Sequence, residues 1–298
     1  MIGGLLLGFG LRAADLVARL LPRGVAYGLA DLIGVAWYRM ASARRDLVGA
    51  NLRRVAVATG RPASGRGFRR MVRQAFVEHA RYYLEMLRIP HASIEEIGEM
   101  VTVDEWDRWE PILREGVVIA TLHLGNPEPY GSFVAAHGLH AVVPVEEIRP
   151  KALFDFLLAR RATGRGVLAV PLSQARRALT DELKAGGIGV LVADRNLAGR
   201  GLPTTLFGAT AQLPAGPANL ALISGRPLLV AACSRRGPER FNVRAWLIDV
   251  PRSGDRKADV AALTEAMARR MEEAIAAAPE QWFAAFQPIW DKGAAADG

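Results

Sequence analysis

A histidine that directly follows an apolar segment is the first residue of the sequence suited to catalysis. His123 comes after the apolar residues 117–122, and Glu128 stands five positions later, beyond a turn at residues 125–127 that contains Gly and Pro. If the apolar segment is a buried strand, His123 lies at its carboxyl end, where open α/β sheets bind their ligands. The Gly and Pro favour a sharp turn into a helix. We therefore expect the Glu128 carboxylate to fold back and hold one imidazole nitrogen.

Such a pair has the chemistry of a general base with its partner. While Glu128 holds one nitrogen of His123, the other nitrogen can take the proton of a hydroxyl group as that hydroxyl attacks. A sugar hydroxyl needs this help because it is a poor nucleophile until its proton is removed. The His123–Glu128 dyad predicts direct attack on a thioester, with no enzyme nucleophile. The alternative is that His123 is an ordinary polar residue whose hydrogen bonds are satisfied within the protein.

Three further sets of residues are candidates for substrate binding. Asp194 and Arg195 close the apolar segment 188–193, again at a predicted strand end. Arg195 suits a phosphate or a carbonyl oxyanion, and Asp194 suits an acceptor hydroxyl. A salt bridge in a surface loop is the alternative for both. Arg160 and Arg161 stand late in a predicted helix, and for them substrate binding and simple solvation are the two alternatives. Asn126, the last candidate, lies within the turn after His123.

Other catalytic motifs are missing from the sequence. There is no G-x-S-x-G elbow, no Walker loop and no H-E-x-x-H, and the five histidines show no metal-ligand spacing. Residues 8–13 match a dinucleotide fingerprint formally, but the strand and helix that it requires do not flank them. The single cysteine, Cys233, excludes an intrachain disulfide and suits a reducing compartment. We therefore expect neither a metal ion nor a cofactor.

The pattern of apolar residues predicts two kinds of structure along the chain. Residues 1–90 read as amphipathic helices. After them, short apolar segments alternate with helical stretches, which is typical of an α/β fold with a mostly parallel central sheet flanked by helices. The predicted strands are residues 117–122, 141–145, 166–172, 188–193, 227–233 and 241–250. The predicted helices are residues 151–161, 174–185, 215–224 and 257–278.

Charge favours a membrane surface as a partner. The net charge is +8, and residues 39–88 hold twelve arginines against three acidic residues. No stretch has the ~20 apolar residues that a spanning helix needs. The arginine-rich stretch lacks the aromatic interleaving typical of nucleic-acid binding, and an ordinary solvated face is the other explanation. The apolar N-terminal helices therefore predict peripheral binding to an anionic membrane, without nucleic acid.

Four segments, in order, resemble the bacterial lipid A late acyltransferase superfamily, whose signature is His-x4-Asp/Glu after a strand. Within it, the chain looks most like the actinobacterial phosphatidylinositol mannoside acyltransferases. The segments are Thr121-Leu122-His123-Leu124-Gly125-Asn126, Ala193-Asp194-Arg195-Asn196-Leu197, Phe207-Gly208 with Leu213-Pro214-Ala215-Gly216-Pro217-Ala218, and Gln287-Pro288-Ile289-Trp290. One departure is Pro127-Glu128, where the mannoside enzymes usually carry Trp-Asp.

The resemblance implies roles for particular residues. His123 would be the base and Glu128 its partner. Asp194 would be a further acidic site residue beside the family's arginine, Arg195, and either Arg160 or Arg161 would be its helix arginine. It also implies an acyl-CoA co-substrate, a lipid-linked mannose acceptor and peripheral attachment to the cytoplasmic face of the bacterial cell membrane.

The resemblance covers most of the chain and predicts a single acyltransferase domain over residues 1–292. Its parts would be a helical membrane-proximal region (1–90) and an α/β catalytic core (91–292), followed by a disordered tail (293–298). Two alternatives remain at this point. One is an acyltransferase for another glycolipid such as a lipid A precursor, and the other is a non-catalytic lipid-binding protein on the same fold.

Overall fold

Four helices make up the first 88 residues of the structure, a computed structural model that describes residues 2–161, 166–196, 199, 201–249, 251 and 253–290. Pro22 separates the first two helices, and a loop with Gly60 and Pro62 separates the last two. Pro removes a backbone donor and Gly favours non-helical backbone, which accounts for both breaks. The helices are α1 (Ile2–Leu20), α2 (Arg23–Met40), α3 (Ser42–Ala58) and α4 (Gly65–Arg88).

Helix α2 has one apolar face against the protein and another facing outward. Its inner face packs on α4 so closely that a Cβ atom on Gly34 would lie 2.6 Å from the Cα of Val77. The outer side chains recur at helical spacing, so they form one exposed apolar face. This outer face of α2 consists of Val25, Leu29, Leu32, Ile33 and Met40, which are between 46% and 84% exposed.

A seven-stranded sheet forms the centre of the rest of the chain. Its strands lie in the order β1-β9-β8-β2-β5-β3-β4, and all neighbours are parallel except β8 and β9. A separate antiparallel hairpin, β6–β7, lies outside it. The strands are β1 (Val101–Val103), β2 (Val117–Thr121), β3 (Ala141–Val145), β4 (Val167–Pro171), β5 (Ile188–Val192), β6 (Leu202–Leu206), β7 (Ala209–Leu213), β8 (Leu228–Gly237) and β9 (Arg240–Ile248).

Strand β2 lies at the middle of this sheet, and all five of its residues are buried. Val118 and Ala120 pack on one side in a core that also contains residues of α3, α4 and α11. Val117 and Ile119 pack on the other side in a second core. Because layers cover both faces, the strand is a continuous apolar run.

Seven helices flank the sheet in the described part of the chain after residue 90. One of them, α7, begins at Glu128, where the sequence predicts a helix start. They are α5 (Ile94–Met100), α6 (Trp106–Arg114), α7 (Glu128–Ala136), α8 (Lys151–Arg161), α9 (Ala175–Lys184), α10 (Gly216–Ser224) and α11 (Arg256–Ala277). The segment after α11 folds back over the sheet as two short 3-10 helices, Pro279–Gln281 and Phe283–Phe286.

The predicted α/β class with a mostly parallel sheet is confirmed. Each of the six predicted strands and four predicted core helices is present, with ends shifted by a few residues. The sequence reading missed the three-residue strand β1 and the hairpin β6–β7. Among the described residues, no helix is both long and apolar enough to cross a bilayer. The predicted tail 293–298 lies outside the described residues.

Candidate active site

His123 follows β2, and its imidazole is held by a residue from the neighbouring strand. Its Nδ1 atom lies 2.8 Å from Oδ1 of Asp194, which follows β5. The backbone N–H of His123 donates to the other oxygen of the same carboxylate, at 3.0 Å. Because β2 and β5 are parallel neighbours, their carboxyl ends bring together two residues that are far apart in sequence.

Asp194 is fixed as a carboxylate. Its side chain is 1% exposed and also accepts a hydrogen bond of 2.9 Å from Nε1 of Trp282. Burial alone would raise the pKa of Asp194, but His123 and these hydrogen bonds outweigh it and lower the pKa below its usual value. An ionised Asp194 accepts the Nδ1 proton of His123, which leaves the lone pair on Nε2. The His123 side chain is 37% exposed, so a substrate can reach it.

The segment after α11 holds the backbone around His123. The N–H of Phe283 donates to the carbonyl of His123 at 2.7 Å, and the N–H of Gly125 donates to the carbonyl of Gln281 at 3.0 Å. Trp282 bonds Asp194 and is completely buried. We call residues 281–283 the clasp, because they bind both members of the His123–Asp194 pair.

The turn after His123 depends on Gly125. Its φ is +59°, a region that glycine adopts without strain, and a Cβ atom there would lie 2.4 Å from the carbonyl oxygen of Cys233. The sequence signal of a sharp turn is therefore real, and a close approach to β8 is its second cause.

Asn126 is a predicted substrate-binding residue, but the structure gives its side chain internal partners. It is completely buried. Its Nδ2 donates to Oε2 of Glu85 at 3.0 Å, and its Oδ1 accepts from the backbone N–H of Glu128 at 3.1 Å. In this conformation a substrate cannot reach the carboxamide, so Asn126 holds the turn instead.

Behind this turn lies a buried charge cluster of Arg235, Glu78 and Glu85. Arg235 comes from β8, and both glutamates come from α4. The guanidinium donates to Glu85 at 2.6 and 2.7 Å and also bonds Glu78. Burial alone would lower the pKa of Arg235, but the two carboxylates raise it. The cluster links outward to α2, because the hydroxyl of Tyr27 donates to Glu85 at 2.7 Å.

The other predicted site residues lie around this centre. The sequence predicts that Glu128 holds one imidazole nitrogen of His123, but in the structure Asp194 bonds Nδ1 instead. Glu128 begins α7. Arg195 donates to Glu146 at 2.8 Å, which joins the ends of β5 and β3. Arg160 and Arg161 end α8, and their side chains lie outside the described residues.

The single cysteine, Cys233, does not offer a reactive thiolate. Cys233 is buried, and burial raises the pKa of its thiol to about 12, so it is protonated at neutral pH. Its Sγ donates to the carbonyl of Asn126. No group of three or more metal-ligating side chains lies among the described residues.

Sequence reasoning missed the clasp and the charge cluster. The only signal for the clasp is the density of aromatic residues after the last helix. Glu78 and Glu85 stand out only as two of the three acidic residues within an arginine-rich stretch. What the assembled site offers is an exposed imidazole nitrogen with a lone pair, fixed by a buried carboxylate, as general-base catalysis requires.

Comparisons with known proteins agree on one family. The profile of the family described as bacterial lipid A biosynthesis acyltransferase matches residues 8–291. A phosphatidylinositol mannoside acyltransferase of Mycobacterium tuberculosis is 31% identical over 223 residues, which are 71% of this chain and 67% of the relative. One from Mycolicibacterium smegmatis is 29% identical over 227 residues, which are 74% of this chain and 72% of the relative.

Proposed function

The chain belongs to the bacterial lipid A biosynthesis acyltransferase family, and on that premise we propose the reaction that this glycolipid acyltransferase performs. It transfers a long-chain fatty acyl group from acyl-CoA to a mannose hydroxyl of a phosphatidylinositol mannoside. The names of the relatives support this acceptor. The observation that carries the chemistry is the exposed Nε2 of His123, whose ring is fixed through Nδ1 by Asp194.

The transfer is a direct attack on the thioester. The acceptor hydroxyl forms a C–O bond to the carbonyl carbon while its proton passes to Nε2 of His123, and the carbonyl π electrons move to oxygen. When the C=O bond re-forms, the C–S bond breaks and the thiolate takes the proton from His123. Asp194 stabilises the imidazolium between these two steps, and the reaction uses no cofactor.

The remaining candidates act on charge and placement. Glu128 starts α7 next to the turn after His123, so its carboxylate adds to the negative potential that favours the imidazolium. Arg195 neutralises a phosphate or the carbonyl oxyanion. To do so, its guanidinium leaves its exposed salt-bridge partner, Glu146, and pairs with the substrate. Arg160 or Arg161 binds the phosphate of the acceptor.

The enzyme works at the cytoplasmic face of the cell membrane, as a peripheral protein. Support comes from the outer face of α2, because large apolar side chains exposed on one helix face are typical of a surface that lies in a bilayer interface. Leu16, Val17 and Leu20 of α1 add to it, and Arg12, Arg19 and Arg39 are exposed for anionic headgroups.

The acceptor is tested by competition. Mannosylated and unmannosylated phosphatidylinositol compete for one long-chain acyl-CoA, and mass spectrometry identifies the product. We expect acylation of the mannosylated lipid in preference. Equal rates on both, or activity only on a lipid A precursor, would overturn the acceptor.

His123→Ala separates the chemistry from the acceptor. It should lower kcat by ~10²–10⁴-fold on any acceptor, since a general base contributes about that much. A protein that binds glycolipid equally well with and without His123 and never acylates it would instead be a lipid-binding protein on this fold.

A further inference from the structure

A second histidine, His79 of α4, is linked to the reactive one through Phe283. The ring of His79 stacks between the rings of Tyr83 and Phe283, with centroid distances of 5.0 and 4.7 Å. Phe286 closes a third side edge-on at 4.4 Å. Phe283 connects His79 to the reaction centre, because its ring contacts His79 and its backbone N–H donates to the carbonyl of His123.

His79 has no hydrogen-bond partner among the described residues, although its surroundings are largely closed. Its Nδ1 is sealed from solvent and unpaired. The second nitrogen, Nε2, has no described partner either, but it is not among the sealed atoms. Buried polar atoms are nearly always satisfied, so an orphan of this kind calls for a reason. Phenylalanine would fill the same aromatic stack without an unpaired nitrogen.

The ring is neutral under physiological conditions. Burial, followed by the nearby His123 and Arg44, lowers the pKa of His79 to about 3. A neutral imidazole carries one N–H and one lone pair. Leaving the lone pair at the sealed Nδ1 is the less costly arrangement, since buried unpaired N–H groups are rarer than unpaired acceptors. The proton then belongs on Nε2, the nitrogen that is not sealed.

We propose that His79 is a further catalytic residue, whose Nε2–H donates a hydrogen bond to the carbonyl oxygen of the acyl thioester. This inference rests on the proposed acyl transfer. As the acceptor oxygen bonds to the carbonyl carbon, the π electrons of the C=O bond move to the carbonyl oxygen. A donor fixed beforehand stabilises the negative charge that develops on the carbonyl oxygen. The bond to His79 returns to its weaker form when the C=O bond re-forms and the thiolate leaves.

The unpaired nitrogen makes the inference testable through two readouts of opposite sign. His79→Phe keeps the aromatic stack and removes the orphan, so Tm should rise by roughly 2–5 °C. The same change removes a donor to the oxyanion, so kcat should fall by about 10²-fold with little change in KM. A residue with only a structural role would not raise Tm and lower kcat together.

Two further variants test the atom and the packing. His79→Gln places an amide N–H near the position of Nε2 and should restore kcat in part, whereas His79→Asn, which reaches only toward Nδ1, should not. His137→Phe is the matched control: His137 also packs on aromatic rings, but its Nδ1 is bonded to the carbonyl of Phe133. It should lower Tm and leave kcat unchanged.

Two results would overturn the inference. In one, His79→Phe transfers acyl groups as fast as the wild type. In the other, His79→Phe lowers both Tm and kcat. Both leave the proposed function standing, because wild-type transfer and its dependence on His123 are measured in the same assay. A wild-type protein that acylates no glycolipid would instead overturn the proposed function, and the role of His79 with it.

Discussion

At the scale of single residues, the variant Asp194→Asn tests whether Asp194 takes part in catalysis or is only a buried carboxylate. Asp194→Asn keeps a side chain of the same shape that can still accept from Nδ1 of His123, but it removes the charge that stabilises the imidazolium. We expect kcat to fall by ~10²–10⁴-fold, as for loss of the base itself. Steady-state kinetics with His123→Ala alongside provide the measurement. If the two variants differ greatly and Asp194→Asn retains most activity, Asp194 does not stabilise the imidazolium.

The same carboxylate predicts how stability depends on pH. The pKa of Asp194 is lowered in the folded protein, so its contribution is present above the unfolded value of about 3.9 and is lost as pH falls through the folded pKa. The Tm difference between wild type and Asp194→Asn should be constant near neutral pH and shrink below about pH 4. A difference that is independent of pH down to acid denaturation would contradict an ionised Asp194.

At the scale of elements, strand order explains both what the sequence predicts and what it hides. Apolar runs such as residues 141–145 predict the strands correctly, because buried parallel strands are continuously apolar. The hairpin β6–β7 alternates more buried and exposed residues instead of forming a continuous apolar run, so it escapes that pattern. A linear reading pairs His123 with Glu128 because it compares residues close in sequence. Asp194 replaces Glu128 at Nδ1 because β2 and β5 are neighbours, which no spacing reveals.

Helix α4 and the turn after β2 meet at the pair Glu85–Asn126, which predicts a swap experiment. Asn126→Asp alone places two carboxylates about where a 3.0 Å hydrogen bond was, so we expect lower Tm and at least about tenfold lower kcat. Combining it with Glu85→Gln restores one amide donor and one carboxylate in exchanged places, and the introduced aspartate could still accept from the N–H of Glu128. Activity and Tm should recover only in part in the double variant, because Glu85→Gln also removes the carboxylate that accepts hydrogen bonds from Arg235 and Tyr27.

The matched control for the swap is Glu273→Gln, which removes an exposed carboxylate from α11 and should change neither quantity. Additive losses in the double variant would mean that Glu85 and Asn126 do not act as a pair. Recovery of Tm without recovery of kcat would assign the pair to stability alone.

At the scale of the whole molecule, the outer face of α2 predicts where the protein meets its lipid substrates. Leu32→Asp places a charge on a side chain that is 69% exposed, so the fold is unaffected and only binding to anionic vesicles should weaken. Ile223→Asp on α10, 64% exposed, is the control and should not change binding. Vesicle cosedimentation measures both.

Salt separates the two parts of that attraction. Each arginine near an anionic surface adds ~1 kcal/mol, and salt screens this share but not the apolar one. Wild-type binding should therefore fall with salt. Equal binding to neutral vesicles at high salt would mean that apolar insertion alone suffices, and equal binding of Leu32→Asp would place the membrane contact elsewhere.

The clasp also determines when, during translation, the candidate active site can be completed. Its residues 281–283 are translated long after His123 and Asp194, on the order of ten seconds later at about 5–20 residues per second. Until they emerge, the Nε1 of Trp282 and the amide of Phe283 are missing from the pair that they hold. A nascent chain stalled before Gln281 would carry the base and its carboxylate yet lack their fixed geometry. We therefore expect the protein to become competent late in its synthesis, after the outer face of α2 has left the ribosome.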